Sequence, residues 1–219
     1  ELSRRVGFMG KELVSDIEVL EELDGFYARA EYAYKLSCVK PSVNASGIVS
    51  FDCGRHPLID RKKVVPVTLS LGRDYRFLLI SGPNTGGKTV TLKMVGLFCL
   101  MAMCGLFIPA KRAEVSVFRE IYCDIGDSQS IEESLSTFSS HVTNIVEIVD
   151  NADKNSLVLI DELGGGTDPD EGQALAKAVV SYLLRAGGTG VVTTHYSALK
   201  EFAFATDGIE NACMEFDSD

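Results

Sequence analysis

The sequence predicts an α/β protein: a mostly parallel sheet flanked by helices, with a small antiparallel subsheet and a long helix ahead of both. Three observations carry that expectation. The short apolar runs Phe77-Leu78-Leu79-Ile80 and Leu157-Val158-Leu159-Ile160 have the length and continuity of strands buried on both faces. Each is followed by a glycine-rich or polar loop and then a helical pattern. Each also ends in residues that carry chemistry, and open parallel sheets hold their ligands at those carboxyl ends.

With 219 residues the chain is long enough for one large α/β domain and a small appendage. Hydrophobic residues at 46% and charged residues at 24% are ordinary for a soluble globular protein. The formal net charge of -10 argues against this chain being, by itself, a surface that grips nucleic acid, because phosphate neutralisation needs clustered Lys and Arg. Six cysteines show no C-x-x-C pair and no zinc-type His spacing. Cys99 and Cys104, set in an apolar helix, read as buried reduced thiols. No signal peptide pattern is present, so a cytoplasmic location is expected, where the glycosylation pattern Asn44-Ala45-Ser46 has no meaning. A start at Glu1 and a last strand candidate that runs into the C-terminus suggest an excised domain.

In chain order, residues 11–38 read as a long helix, with Leu13, Ile17, Leu20, Tyr27 and Tyr34 near a 3.5-residue spacing. So long a helix needs a partner surface on the main body or on neighbouring parts of the protein. Pro41 ends it and divides a helical arm, residues 1–41, from a domain over 42–219. Residues 42–75 carry two β-like runs, Gly47 to Phe51 and Val64 to Leu71, which suggest the antiparallel subsheet.

The strand at 77–80 leads into Gly82-Pro83-Asn84-Thr85-Gly86-Gly87-Lys88-Thr89, which fits G-x-x-x-x-G-K-[ST] without a gap. Glycines let the backbone turn tightly and aim successive N–H groups at one anion. Lys88 brings a positive charge to the outer phosphates, the Thr89 hydroxyl suits Mg²⁺, and the helix start adds its own positive end. The nucleotide-binding stretch therefore runs over Gly82, Pro83, Asn84, Thr85, Gly86, Gly87, Lys88, Thr89 and Val90. A chance glycine-rich turn would not need the strand before it and the helix after it. Residues 88–104 are apolar on every side, and the phosphate loop at their start favours a buried central helix over a membrane span. Gly105 caps that helix and Pro109 blocks its continuation.

Ile121 to Ile125 form another strand, followed by the polar loop Gly126 to Ser130. Ser136-Thr137-Phe138 open a helix with Phe138, Val142, Ile145 and Val149 on one face. After the strand at 157–160 come Asp161-Glu162, two carboxylates at the mouth of the sheet. Asp161 suits the metal that bridges the β- and γ-phosphates, and Glu162 suits a base for an attacking water, against the bland reading of a strand that ends in solvated acids. The glycine-rich loop Gly164 to Pro169 precedes a helix expected to turn Ala174, Leu175, Ala178, Val179 and Tyr182 inward. Gly190 to Thr194 form the last clear strand and end at His195, which by position alone is as well read as structural as reaching the γ-phosphate. His56 and His141 read as structural.

The run Ile80 to Thr89 resembles the nucleotide loop of the MutS family of mismatch-repair ATPases, as do Asp161-Glu162-Leu163-Gly164 and Thr193-Thr194-His195-Tyr196. The segment Ile125 to His141 is similar to the second, recombination-suppressing branch of that family rather than the mismatch-recognising one. The likeness is strong over about residues 54–205, and the N-terminal helix resembles the end of the family's lever arm. It implies a P-loop NTPase of ABC-ATPase type acting as a homodimer on ATP and Mg²⁺, with ATP sandwiched between protomers. Asn84 would contact phosphate or the attacking water, and His195 would be the switch histidine. Ser136 would meet the partner's γ-phosphate in trans, and Asp168 would couple the two sites. Adenine contacts would come partly from near Val64 and Val65. The resemblance further implies DNA repair and recombination roles, with DNA, and ribosomes or rRNA, contacted by regions absent from this chain. A nuclease domain would also lie outside it, and no membrane is involved. Rival readings are a P-loop kinase, which lacks its arginine-rich lid in 105–150 (only Arg112 and Arg119), a transporter-type ABC ATPase subunit, which lacks its Leu-Ser-Gly-Gly-Gln signature, and a module that binds ATP without turnover.

Overall fold

The computed structural model describes residues 1–83, 86–126 and 134–214, and the side chains of all of these except residues 2 and 134–138. Two helices come first, α1 (Leu2–Phe8) and α2 (Gly10–Leu36). Strands β1 (Ser42–Asn44), β2 (Val49–Gly54), β3 (Val67–Leu71) and β4 (Phe77–Ser81) precede the central helix α3 (Lys88–Met103). Then come β5 (Arg112–Ser116), β6 (Glu120–Asp124), α4 (Ser134–Asn151), β7 (Ser156–Ile160), α5 (Pro169–Arg185), β8 (Thr189–Thr194), α6 (Ser197–Phe204) and β9 (Ile209–Cys213).

Among the described residues the strands form two sheets. The larger has the order β6-β7-β8-β4-β9, with every pairing parallel. Its central strands β4, β7 and β8 are buried along their whole length, β4 and β7 through apolar runs and β8 with Thr189, Thr193 and Thr194 buried beside Val191 and Val192. The smaller sheet has the order β1-β5-β2-β3. Here the expected antiparallel subsheet needs correction. β2 pairs antiparallel with β3 and β5, but β1 runs parallel to β5, so the sheet is mixed. The strands β1 and β5 lie far apart in the chain (Asn44 stands opposite Ser116, Ser42 opposite Glu114), and local patterning carries no signal for so distant a pairing.

One core cluster lies between α3, the smaller sheet and one face of the larger, around Phe51, Leu92, Phe98 and Leu159. The other covers the opposite face with α4, α5 and α6, around Phe77, Ile160, Val180 and Leu199. α3 is therefore a central helix buried on most but not all of its surface: Val90, Lys93, Leu100 and Met103 are exposed, Leu100 and Met103 by about half (49% and 47%). Among the described residues no helix is long and apolar enough to cross a membrane. In α5 the inward face is Gly172, Ala176, Val179, Val180 and Leu183, whereas Ala174, Ala178 and Tyr182 are exposed. Of the residues expected inward, Val179 is buried and Leu175 packs partly buried on the second cluster, while the stripe is centred nearer Ala176 and Val180 because alanine fits either face of a helix.

α2 buries none of its residues. Its ties to the body sit at its C-terminal end, where Tyr32 packs on the first cluster and Arg61 donates to the Lys35 carbonyl and the Ser37 hydroxyl. The rest, including Leu13, Ile17, Leu20 and Tyr27, is solvent-facing.

The thiols divide in a way the sequence does not suggest. Cys99 is fully buried and its thiol is pushed up to about 12 by burial, but Cys104, at the C-cap of α3, is exposed. Iodoacetamide at pH 8 should therefore alkylate Cys104 in the folded protein and reach Cys99 only in denaturant, since the thiolate is the nucleophile. Peptide mass spectrometry reads this directly, and native labelling of Cys99 would contradict the packing of α3.

Candidate active site

The site grows from the carboxyl ends of β4, β7 and β8, neighbours in the larger sheet. Residue Gly87, at φ +82°, stands at the N-cap of α3 in the left-handed conformation that glycine adopts without steric cost. The turn brings Lys88, only 1% exposed, back over the loop, where its ammonium donates to the Gly82 carbonyl. Asn84 and Thr85 lie outside the described residues. Val90, the last residue of the expected nucleotide-binding stretch, is 37% exposed.

The next residue along the loop, Thr89, reaches across to β7: its hydroxyl donates to Asp161 Oδ2 at 2.6 Å. The other oxygen of the same carboxylate accepts from the hydroxyl of Thr193 on β8. Asp161 is 7% exposed, and a buried carboxylate is costly unless its oxygens are hydrogen-bonded. Two hydroxyls from two other elements meet that need. The hydroxyl and carboxylate oxygens of Thr89 and Asp161 are hard ligands converging on one point beside the phosphate loop. Mg²⁺ is commonly bound in this way, by one or two carboxylates with substrate phosphates completing its shell. Among the described residues no cluster of three or more His, Cys, Asp or Glu is placed to hold a metal, so a cation here would depend on the nucleotide.

The neighbouring Glu162 has φ +51°. For a residue with a Cβ this left-handed conformation costs about 1–2 kcal/mol, and such outliers cluster at functional sites. Its N–H donates to Thr193 Oγ1 at 2.9 Å, and the following Leu163 N–H donates to the Thr193 carbonyl at 3.1 Å. Thr193 thus orients both carboxylate residues, a role the sequence reading missed. The signal was present: a hydroxyl-bearing residue inside the buried apolar run Val191-Val192-Thr193.

Beyond the acids, Gly164 (φ +86°) and Gly172 interlock so closely that a Cβ on Gly172 would lie 2.2 Å from the Gly164 carbonyl oxygen. Tyr196 Oη donates to that same carbonyl at 3.0 Å and ties the loop to the end of β8. Asp168 caps α5, its Oδ1 accepting from the Asp170 and Glu171 N–H groups at 3.0 and 3.4 Å. His195 is exposed just past β8, its ring 4.2 Å from that of Tyr196. α4 begins at Ser134, so Ser136 lies in its first turn rather than at its cap, and its side chain is outside the described residues. Phe138, placed on the inward face of α4, falls there too. Val64 and Val65 precede β3, and Val65 is 78% exposed. Met214, unremarked in the sequence, packs on the loop: a Cβ on Gly86 would meet its Cβ at 3.2 Å.

Replacing Thr193 by Val keeps the shape and removes the hydroxyl that serves both Asp161 and the Glu162 N–H. Leaving such groups unsatisfied costs about 1–3 kcal/mol, and about 2–4 °C of melting temperature accompanies each kcal/mol in a domain of this size. A calorimetric scan of Thr193→Val should show that loss, and an unchanged melting temperature would mean that other donors serve these groups.

Residues 78–219 match the family model of MutS domain V. The chain is 54% identical over 218 residues to proteins named endonuclease MutS2 in Caldanaerobacter subterraneus subsp. tengcongensis and in Lachnospira eligens, a match covering 99% of this chain. A protein of the same name in Clostridium botulinum (strain Loch Maree) is 56% identical over 204 residues, covering 93% of this chain. The chain spans about 28% of the length of the first two relatives and 26% of the third. With loop, acids and strand-end threonine in place, and with that likeness along nearly its whole length, the chain belongs to the MutS family, where it carries domain V, in the MutS2 branch.

Proposed function

We propose that this chain binds ATP with Mg²⁺ and hydrolyses it as one half of a homodimeric, ABC-type ATPase. The observation that carries the reading is the 2.6 Å contact of Thr89 with Asp161, which joins the phosphate loop to the acidic end of β7 at one point. In this reading the N–H groups of the loop and the Lys88 ammonium bind the β- and γ-phosphates. Mg²⁺, held by Thr89 and Asp161, supplies neutralisation of charge on the phosphate oxygens. Glu162, next to Asp161 in a left-handed backbone conformation, orients the attacking water and accepts its proton. His195, exposed at the end of β8, contacts the γ-phosphate region, and Asn84 contacts phosphate or the water. Ser136 meets the partner's γ-phosphate, and Asp168, beside the same mouth, links the two sites.

We read residues 1–41 as the end of a lever-type arm and 42–219 as the ATPase domain. For the whole protein we propose a DNA-associated role in repair or recombination, in which nucleotide turnover drives a clamp. The relatives are named as endonucleases. Contacts with DNA, and with ribosomes, are assigned to other regions, in keeping with the formal charge of -10 on this one.

Two substitutions separate binding from chemistry. Lys88→Ala should abolish tight ATP binding, since a charge-assisted phosphate contact contributes about 1.5–3 kcal/mol and the loop's geometry depends on it. Glu162→Gln should bind ATP normally while turnover falls by about 10²–10⁴. Nucleotide titration and a phosphate-release assay read both, and wild-type turnover in Glu162→Gln would remove it as the base.

Subunit mixing tests the shared site. Lys88→Ala and Ser136→Arg proteins should each be inactive, yet a mixed dimer would contain one intact site and one doubly broken one. Random pairing makes about half the dimers mixed, so activity should return to about a quarter of wild type if sites act independently. No recovery in mixtures shown to exchange subunits would confine Ser136 to its own chain.

A further inference from the structure

His141, the last residue of the segment Ile125 to His141, and Asp124, the residue just before that segment, meet beside the acidic end of β7. Asp124 is the last residue of β6 and is 3% exposed. Its carboxylate binds two residues one turn apart on α4: Oδ2 lies 2.8 Å from His141 Nδ1, and Oδ1 accepts from Asn144 Nδ2 at 3.1 Å. Its main-chain carbonyl accepts from the N–H of Asp161 at 2.9 Å. One residue therefore ties α4 to the backbone of the carboxylate assigned to the metal. Gly126 stands close to the imidazole: a Cβ there would lie 2.9 Å from His141 Cε1.

The location of this tie along α4 matters. Among the described side chains, the apolar anchors of α4 in the second core cluster, Ile145, Ile148 and Val149, lie in its second half. Among the same side chains, Asp124 with His141 and Asn144 links α4 to the sheet ahead of Ile145. Ser136 stands five residues before His141, about 7.5 Å along the helix axis at 1.5 Å per residue. We infer that Asp124 and His141 are positioning residues: their side-chain bond sets where the first turn of α4 stands relative to Asp161, and hence how well Ser136 meets a nucleotide. This rests on the proposed role of that turn. It adds a specific requirement, that the donor at the Nδ1 position and not the bulk of the ring is what the site needs.

The test uses three substitutions in the full-length protein. His141→Asn returns an amide N–H near the Nδ1 position, His141→Gln places one nearer Nε2, and His141→Leu supplies none. With His141→Leu and His141→Gln, kcat for ATP should fall by about tenfold or more with KM within about twofold, since small misplacements of aligned groups are costly. Amide hydrogen exchange should rise over residues 134–141 and stay unchanged over α3. His141→Asn should restore kcat to within about threefold of wild type and restore protection. Wild-type kcat and protection in His141→Leu, or an Asn variant no better than Leu, would overturn the inference and leave the ring as packing against Gly126. A wild-type protein without ATP turnover would instead overturn the hydrolase reading, and the exchange measurement would then decide the tie alone.

Discussion

The carboxylate of Asp161 is the point on which the rest of the site depends. It is almost fully withdrawn from water, and in so poor a solvent a carboxylate must be supplied with donors. Those donors come from separate elements, Thr89 in the first turn of α3 and Thr193 on β8. Each works only if its element is in register with β7. The parallel pairing of β7 with β8 brings Val192 opposite Ile160, which leaves Thr193 beside the residue after it, Asp161. A one-residue slip would turn Thr193 to the other face of the sheet and strip the carboxylate of a donor.

The same threonine extends this constraint to Glu162. By accepting its N–H, Thr193 helps hold a left-handed residue where the chain leaves the sheet. The acid before Glu162, Asp161, has its carboxylate bound by Thr89 at the loop. The close approach of Gly164 and Gly172, with the bond from Tyr196, then carries the chain from that turn into α5. The capping of α5 by Asp168, with Pro169 in the first turn, lets the glycine-rich loop end sharply without unsatisfied N–H groups. Asp168 thus has a sufficient local reason to be an acid. That makes its proposed part in communication between sites a second duty rather than an explanation of its presence.

α2 stands outside this packing. A helix of 27 residues that buries none of them receives little stability from the body to which it is attached. Its last turns are held by Tyr32 and by Arg61, and the remainder presents aliphatic and aromatic side chains to solvent. The seven-residue recurrence of Leu13, Leu20, Tyr27 and Tyr34 that marks it as a helix is the same pattern that leaves it with an apolar stripe. By contrast α3 buries nine of its residues, most of them in the first core cluster, although its sequence is apolar all round and shows no amphipathic pattern.

Much of the architecture is legible in the chain because it is written in local chemistry. An apolar run ending in Gly-x-x-x-x-Gly-Lys-Thr specifies a strand, a phosphate-binding turn and a helix start. Another ending in Asp161-Glu162 specifies a strand with acids at its mouth, since phosphate binding and strand burial each demand particular residues over a few positions. The long N-terminal helix, the central helix and the parallel sheet can be read in the same way. Where the sequence reading departs from the structure, the deciding contact is distant in sequence. The pairing of β1 with β5, the inward face chosen by α5, the exposure of Cys104 and the second role of Thr193 all depend on what another element supplies. Asp124 and His141 make the point most plainly: they are 17 residues apart, no spacing announces their pairing, and their bond exists because the sheet sets β6 beside β7 and the second core cluster seats α4 over them. Local spacing determines which elements form and which groups they carry. Only the packing of those elements decides which groups meet, because donors and acceptors pair by distance in space.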